Sequence, residues 1–123
     1  MVAKLVGEGH FCRCLVRSSS KTDVLETLGA ELVEGDITRA ESLKGIADGA
    51  DRVLHMATLG HMSNFTVTES MFVAINAQGT QNIMTEALRA GVPRIVHCST
   101  VAAMGICDDV PATEESRCHP HHP

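Results

Sequence analysis

Cysteine and histidine are the residue types in this chain best suited to metal or nucleophile chemistry. Cys12 and Cys14 stand two apart, which on a strand puts both thiols on one face. Such a pair could hold a soft metal ion, but no second pair accompanies it, so buried small side chains are the expectation. The end of the chain, Cys118-His119-Pro120-His121-His122-Pro123, has a better ligand composition. Its two prolines and lack of periodicity predict a mobile end that binds metal only adventitiously. No dedicated metal site is expected. His97 and Cys98 are neighbours, but adjacent strand residues point to opposite faces, so they do not make a nucleophile and base. The chain has no Tyr and no Trp, which excludes any proton transfer by a phenol of its own.

The elements that would position these groups alternate. Val2, Leu5 and Val6 follow helical spacing and are closed by Gly7 and Gly9. His10 to Val16 reads as a strand, followed by the loop Arg17-Ser18-Ser19-Ser20. Val24, Leu25 and Leu28 share a helical face over residues 23–28, and Gly29 sits where a helix C′ residue belongs. Leu32 and Val33 form a short strand ending at Gly35-Asp36. Thr38-x-x-Glu41 has the spacing of a capping box, with Leu43, Ile46 and Ala47 on the helical stripe after it. Residues 51–56 read as a strand. Thr66-x-x-Glu69 is a second capping-box pattern and opens a long helix, 68–90, whose expected packing residues are Met71, Ile75, Ile83, Ala87 and Leu88. Ile95 to Cys98 is a buried-type strand, and residues 108–123 read as loop. Strands separated by helices imply right-handed crossovers and a parallel, doubly wound α/β sheet. The series starts on a helix, so the strand expected at the centre of such a sheet is missing from it.

Length and composition narrow the classes. At 123 residues this is one domain's worth of chain, 44 % apolar and 20 % charged, which argues against disorder. The net charge of −5 without a basic patch excludes a nucleic-acid binder. No apolar run approaches a membrane span, and the start lacks the order of a secretory signal. Five cysteines, an odd number at irregular spacing, point to a reducing compartment, so the expected location is cytoplasmic.

Five segments in register resemble the extended short-chain dehydrogenase/reductase family, the branch of NAD(P)-dependent epimerases, dehydratases and dihydroflavonol-type reductases. Gly9 to Arg17 resembles its second strand. Val33-Glu34-Gly35-Asp36-Ile37 looks like the third, and Val53 to Thr58 like the fourth. Asn76-Ala77-Gln78-Gly79-Thr80-Gln81-Asn82 matches N-x-x-G-T-x-N on the long helix, and Ile95 to Thr100 matches the fifth strand with its Ser/Thr pair. The resemblance covers residues 1–107. It implies a partial Rossmann-like sheet lacking the first strand: a partial NAD(P)-binding domain over 1–107, then an irregular tail over 108–123. The family's Gly-rich turn and its Tyr-x-x-x-Lys segment have no counterpart, because Gly7-x-Gly9 precedes a strand rather than opening a helix.

By resemblance, Arg17 would lie over the adenosine ribose. There an acidic residue would select NAD, whereas an Arg, with Lys21 and the three serines beside it, favours the 2′-phosphate of NADP, NAD remaining an option. Asp36 would accept from the adenine amine, with Ile37 alongside. Met56, Ala57 and Thr58 would let backbone approach the cofactor, Thr58 replacing the family's usual Ala, and Ser99 would border it. Thr100 takes the position of the catalytic Ser/Thr, whose hydroxyl bonds the substrate oxygen while a Tyr moves the proton. Each has a plainer reading. Arg17 could be a solvated loop cation, Asp36 a carboxylate at a helix start, Met56 core filler, and Thr100 a residue bonded within its own loop. Asn76 is expected to be structural, its amide bonding backbone near the fourth or fifth strand. His55 and His97 are expected in the interior.

The resulting expectation is a fragment of an oxidoreductase or epimerase/dehydratase that moves hydride between a nicotinamide cofactor and a sugar-nucleotide or ketone/alcohol substrate, inactive by itself. The alternatives are a non-catalytic nucleotide-binding protein and an interaction protein that completes its sheet through strand exchange with a partner or a second copy.

Overall fold

The computed structural model describes residues 1–60, 68–105 and 111–120. Helix α1 (Val2–Gly7) leads into strand β1 (Arg13–Val16), then α2 (Asp23–Thr27) and β2 (Glu31–Glu34). A 3-10 helix (Ala40–Leu43) and a run of turns lead to β3 (Val53–His55). One long helical rod follows: α3 (Glu69–Phe72), a π-helical stretch (Val73–Gly79) and α4 (Thr80–Arg89). Strand β4 (Ile95–His97) and a short 3-10 helix (Val101–Ala103) complete the series.

Three helix-to-strand returns, after α1, α2 and α4, are closed the same way, the first by Gly9 at φ 85° with His10 N–H donating to Leu5 C=O at 3.0 Å. After α2, Gly29 at φ 71° lets Ala30 N–H donate to Leu25 C=O at 3.1 Å. After α4, Gly91 at φ 69° lets Val92 N–H donate to Ala87 C=O at 3.0 Å. A positive φ costs glycine little, and the reversal satisfies carbonyls that the helix end leaves without partners.

The four strands form two parallel pairs, β1 with β2 and β3 with β4. Leu15 stands opposite Val33 in the first pair and Leu54 opposite Val96 in the second. Glu31 N–H donates to Cys12 C=O and Gly35 N–H to Val16 C=O, both at 2.9 Å. A parallel ladder uses alternate residues, so Arg13 and Leu15 turn their backbone groups to the far side, and Leu54 of β3 does likewise. No described strand pairs with those edges.

The core lies under β3 and β4. Ala47, Ala87 and Val92 are buried together, with Ile46, Ala50, Val53, Ala90 and Ile95 packed against them, and Leu43 and Ile83 are buried as well. One polar clamp ties α4 to the turns before β3, and a second ties those turns to the first strand pair. Glu86, buried on α4, accepts from Gly45 N–H at 2.7 Å and pairs with Arg89 at 2.8 Å, and Arg89 also binds Asp48. Arg13 pairs with Glu31 at 2.8 Å and donates to Ile46 and Asp48 carbonyls at 3.0 and 2.9 Å. No helix among the described residues is long and apolar enough to cross a membrane.

Several expectations need correction. The strand expected over 10–16 is ordered as a strand only from Arg13, since the first ladder bond is made by the carbonyl of Cys12. Thr38-x-x-Glu41 does not cap an α-helix. Thr38 turns back to Asp36 instead, and a short 3-10 helix follows, entered at Arg39 without a side-chain cap. The long helix begins at Glu69, Thr68 being its extended N-cap residue, and carries a π-helical stretch; Thr66 lies outside the described residues. Leu88 is 74 % exposed, because it follows buried Ala87 and lies about 100° further around the helix. Cys12 and Cys14 are half-buried rather than buried, and Cys98 and Cys118 are exposed. His55 is buried, but His97 is exposed at the end of the sheet.

Candidate functional site

All four strands run the same way within their pairs, and in sheets of this kind ligands bind beyond the carboxyl ends of the strands. Every expected contact residue lies at such an end. Arg17 directly follows β1, Asp36 and Ile37 follow β2 after Gly35, Met56 to Thr58 follow β3, and Ser99 and Thr100 follow β4 after Cys98.

At the end of β1 the chain folds into a tight loop. Arg17 N–H donates to Ser20 Oγ at 3.0 Å, and Ser20 N–H returns to Arg17 C=O at 2.9 Å. The side chains of Arg17, Ser18, Ser19 and Lys21 are exposed, and no described carboxylate lies within ion-pair distance of Arg17.

Asp36 is held from several sides. Its Oδ1 accepts from Thr38 N–H at 2.9 Å and Thr38 Oγ1 at 2.7 Å. Ser42 Oγ accepts from Asp36 N–H at 2.9 Å and lies 3.0 Å from Asp36 C=O and 2.7 Å from Arg39 C=O. The Thr38 backbone bond, then its hydroxyl, holds the Asp36 carboxyl below the usual carboxylate range. Burial opposes this, and Arg39 and Arg17 add to it. Oδ2 has no partner among the described residues. Gly35 is buried here; a Cβ on it would meet Ser42 C=O at 2.8 Å and Leu15 Cδ1 at 2.9 Å.

Ile37 is fixed by the long helix. Asn82 Nδ2 donates to its carbonyl at 2.7 Å, and its side chain lies flat on Gly79, where a Cβ would meet it at 2.7 Å. The N-x-x-G-T-x-N sequence thus places Gly79 and Asn82 one turn apart on the helix face that meets the loop after β2.

Its first residue serves the next strand. Asn76 Nδ2 donates to Leu59 C=O at 3.0 Å, while Asn76 Oδ1 accepts from Leu59 N–H at 2.7 Å and lies 3.3 Å from Thr58 Oγ1. The expectation of backbone bonding near the fourth strand of the family is met by this two-sided clamp. Asn76 lies within the π-helical stretch, a local widening often found at functional sites. Met56, Ala57 and Thr58 are exposed beside it. Below them His55 reaches Thr80 Oγ1 at 2.9 Å, and its ring stacks on His97 at 5.2 Å between centroids.

Ser99 and Thr100 are exposed, and Thr100 Oγ1 accepts from Ala102 N–H at 3.3 Å, capping the 3-10 helix. That is the bond within its own loop foreseen as the plainer reading. No group of three or more His, Cys, Asp or Glu among the described residues is arranged to hold a metal. Burial, then neighbouring Cys12, pushes the Cys14 thiol up, which makes it a poorer metal ligand and nucleophile. His121 and His122 lie outside the described residues.

The roles of four residues of this site escape a reading by sequence alone. Thr38 and Ser42 orient the Asp36 loop, Asn82 holds Ile37, and Arg39 returns beside Asp36 through its N–H to Asp36 C=O at 2.9 Å. Only Asn82 carries a signal, its three-residue spacing from Gly79.

Comparison with known proteins agrees with this fold. The profile of the NAD dependent epimerase/dehydratase family matches residues 1–123. The sterol demethylase protein B of Methylococcus capsulatus is 30 % identical over 123 residues, covering 100 % of this chain and 37 % of that protein. A UDP-galactose 4-epimerase structure superposes with a TM-score of 0.84 at 28 % identity, over 97 % of this chain and 40 % of that one. An Agrobacterium tumefaciens short-chain dehydrogenase/reductase superfamily protein, solved with bound NAD, gives a TM-score of 0.77 at 27 % identity, over 97 % of this chain and 34 % of that one. The chain spans little more than a third of the length of these relatives. Its architecture is that of a partial Rossmann-like α/β fold, and the chain belongs to the NAD-dependent epimerase/dehydratase family.

Proposed function

We propose that this chain forms the adenosine-binding part of an NAD(P)-dependent oxidoreductase or epimerase/dehydratase, with NADP the preferred cofactor. The observation that carries the reading is Asp36, held at the carboxyl end of β2 by Thr38 and Ser42 with Oδ2 left free. A free, ionised acceptor there suits an adenine amine. Ile37, fixed by Asn82 and Gly79, offers an apolar wall alongside. Met56, Ala57 and Thr58 would border the cofactor from β3, and Ser99 from β4. The free guanidinium of Arg17 supports a 2′-phosphate over a bare ribose hydroxyl.

A bound nicotinamide supplies hydride transfer to or from a substrate carbon. Thr100 would donate its hydroxyl hydrogen to the substrate oxygen while its Oγ1 accepts from Ala102 N–H. With no Tyr in the sequence, no phenol accompanies it here, so the chain alone is proposed to be inactive. The substrate is a small molecule of the sugar-nucleotide or ketone/alcohol type. The described cysteines are free thiols, which supports a cytoplasmic setting. A second reading, a protein that pairs with a partner's strand or a second copy, is favoured by the β1 and β3 edges, each left without a described neighbour on one side.

The test is a titration of the chain with NADPH followed by amide NMR. Shifts should gather at Arg17, Asp36, Ile37 and Met56 to Thr58, with a Kd on the order of 1 mM, and no ketone or sugar nucleotide should turn over. Shifts confined to other surfaces would overturn the nucleotide reading. Micromolar affinity, or turnover abolished by Thr100→Ala, would overturn the claim that the chain alone is inactive.

A further inference from the structure

We propose that the π-helical stretch Val73–Gly79 is a hinge that sets the position of the segment Met56 to Thr58, with Asn76 as its positioning residue. Resting on the nucleotide reading above, the hinge governs how that segment meets a cofactor. Met56, Ala57 and Thr58 are strung between two anchors on the long helical rod. Before them, buried His55 places Nε2 2.9 Å from Thr80 Oγ1. After them, Leu59 gives both backbone groups to the Asn76 amide, its N–H at 2.7 Å and its C=O at 3.0 Å. Thr58 Oγ1 lies 3.3 Å from the same amide oxygen. The anchors stand on different parts of the rod, since Thr80 opens α4 whereas Asn76 lies inside the π-helical stretch.

The α4 end of the rod is a fixed base. Gly79 is pressed against Ile37, whose Cδ1 would stand 2.7 Å from a Cβ there. Asn82 holds the Ile37 carbonyl at 2.7 Å and is itself braced by Gln78 at 3.1 Å. Thr80 rises from that base, and Asn76 reaches Leu59 from the other side of the joint. An α-helix turns about 100° per residue, whereas a π-helix bonds i to i+5 in a wider ring and turns less. Returning the stretch to α geometry would rotate Asn76 about the rod axis relative to Thr80. Leu59 would then be drawn away from its present place relative to His55, and Met56 to Thr58 would follow. Rare backbone geometry persists where its surroundings over-determine it, and the Asn76 clamp and the Gly79 contact do so from both ends. Asp36 and Ile37 follow a strand of the first pair, and Met56 to Thr58 follow a strand of the second. A ligand confined to the Asp36 turn is therefore indifferent to the hinge, and one long enough to reach both pairs senses it.

The experiment compares the full chain with Asn76→Ala by amide NMR, first alone and then titrated with NADPH and with 5′-AMP. Scalar couplings across hydrogen bonds report which carbonyl each amide of the stretch donates to. The wild type should show the i to i+5 pattern, and Asn76→Ala should relax to i to i+4. The signals of Met56 to Thr58 should move, while those of Asp36 and Ile37 stay. NADPH should bind the variant about fivefold more weakly, with 5′-AMP affinity unchanged. Asn76→Asp, which keeps an acceptor for Leu59 N–H, should fall between, and Gln81→Ala, exposed on α4, should change nothing. Thermal melts check that each variant folds; should Asn76→Ala not fold, Asn76→Asp carries the same readouts. A π pattern that survives loss of the clamp would overturn the hinge. So would equal loss of affinity for the two ligands, or NADPH affinity unchanged after the pattern has relaxed. If the wild type binds neither nucleotide, the nucleotide reading fails, and the bonding pattern with the Met56 to Thr58 signals still decides the hinge.

Discussion

His55 is 4 % exposed, bonded to Thr80 and stacked on His97. Burial, then the neighbouring His97, holds its proton affinity below the ordinary histidine value. The unfolded chain takes up that proton near pH 6.5, while the folded chain resists it. Stability is therefore full above about pH 6.5 and declines as pH falls from there toward the lower folded value, levelling beneath it. Melting temperatures measured between pH 5 and 7 should show this decline, and His55→Gln should flatten it. An equal decline in the variant would assign the effect to another group. At this scale the sequence is informative where a side chain has a single way to be satisfied. Asn76, with a donor and an acceptor to place, bonds backbone as anticipated. Arg39 and Glu86 are invisible by contrast. Arg39 returns beside Asp36 through a three-residue turn that no residue type in it announces, and Glu86 is buried against Gly45 only because separate segments meet.

Elements are fixed by competition between local signals. Thr38 and Glu41 have capping-box spacing, yet the Thr38 hydroxyl finds Asp36 two residues back, and the helix that spacing would start is replaced by a 3-10 helix. Glycine closures after α2 and α4 met no such rival, so Gly29 and Gly91 end their helices where the pattern puts them. The π-helical stretch has no sequence signature. It leaves Asn76 aimed at Leu59 and Gly79 at Ile37 on one continuous rod. Gly79 is the tight point. A methyl group there would sit 2.7 Å from Ile37 Cδ1 and 2.8 Å from Cγ1. Gly79→Ala should destabilise the chain by about 1–2 kcal/mol in urea despite its gain in helix propensity, since overpacking outweighs that gain. It should also shift the amide signals of Asp36 and Ile37. A more stable variant with unmoved signals would show that the rod and loop do not depend on this approach.

For the whole molecule, alternating helices and strands suffice to foretell parallel pairing, but periodicity does not say which strands are neighbours. The division into β1–β2 and β3–β4 emerges only in three dimensions. Among the described residues few hydrophobic side chains are buried: Leu43, Ala47, Ile83, Ala87 and Val92. Burial on that scale sets little against chain entropy, so the chain should melt broadly and at low temperature. A sharp, two-state calorimetric transition from a monomer would contradict this. The outward-turned backbone of Arg13, Leu15 and Leu54 has a consequence for handling. Each unclaimed ladder is a template on which another molecule can dock, and a molecule with more than one can be extended from either side. Shelf life in a purified sample would then be governed by how often molecules collide, so dilution would preserve the chain and concentrating it would drive it into fibres or precipitate.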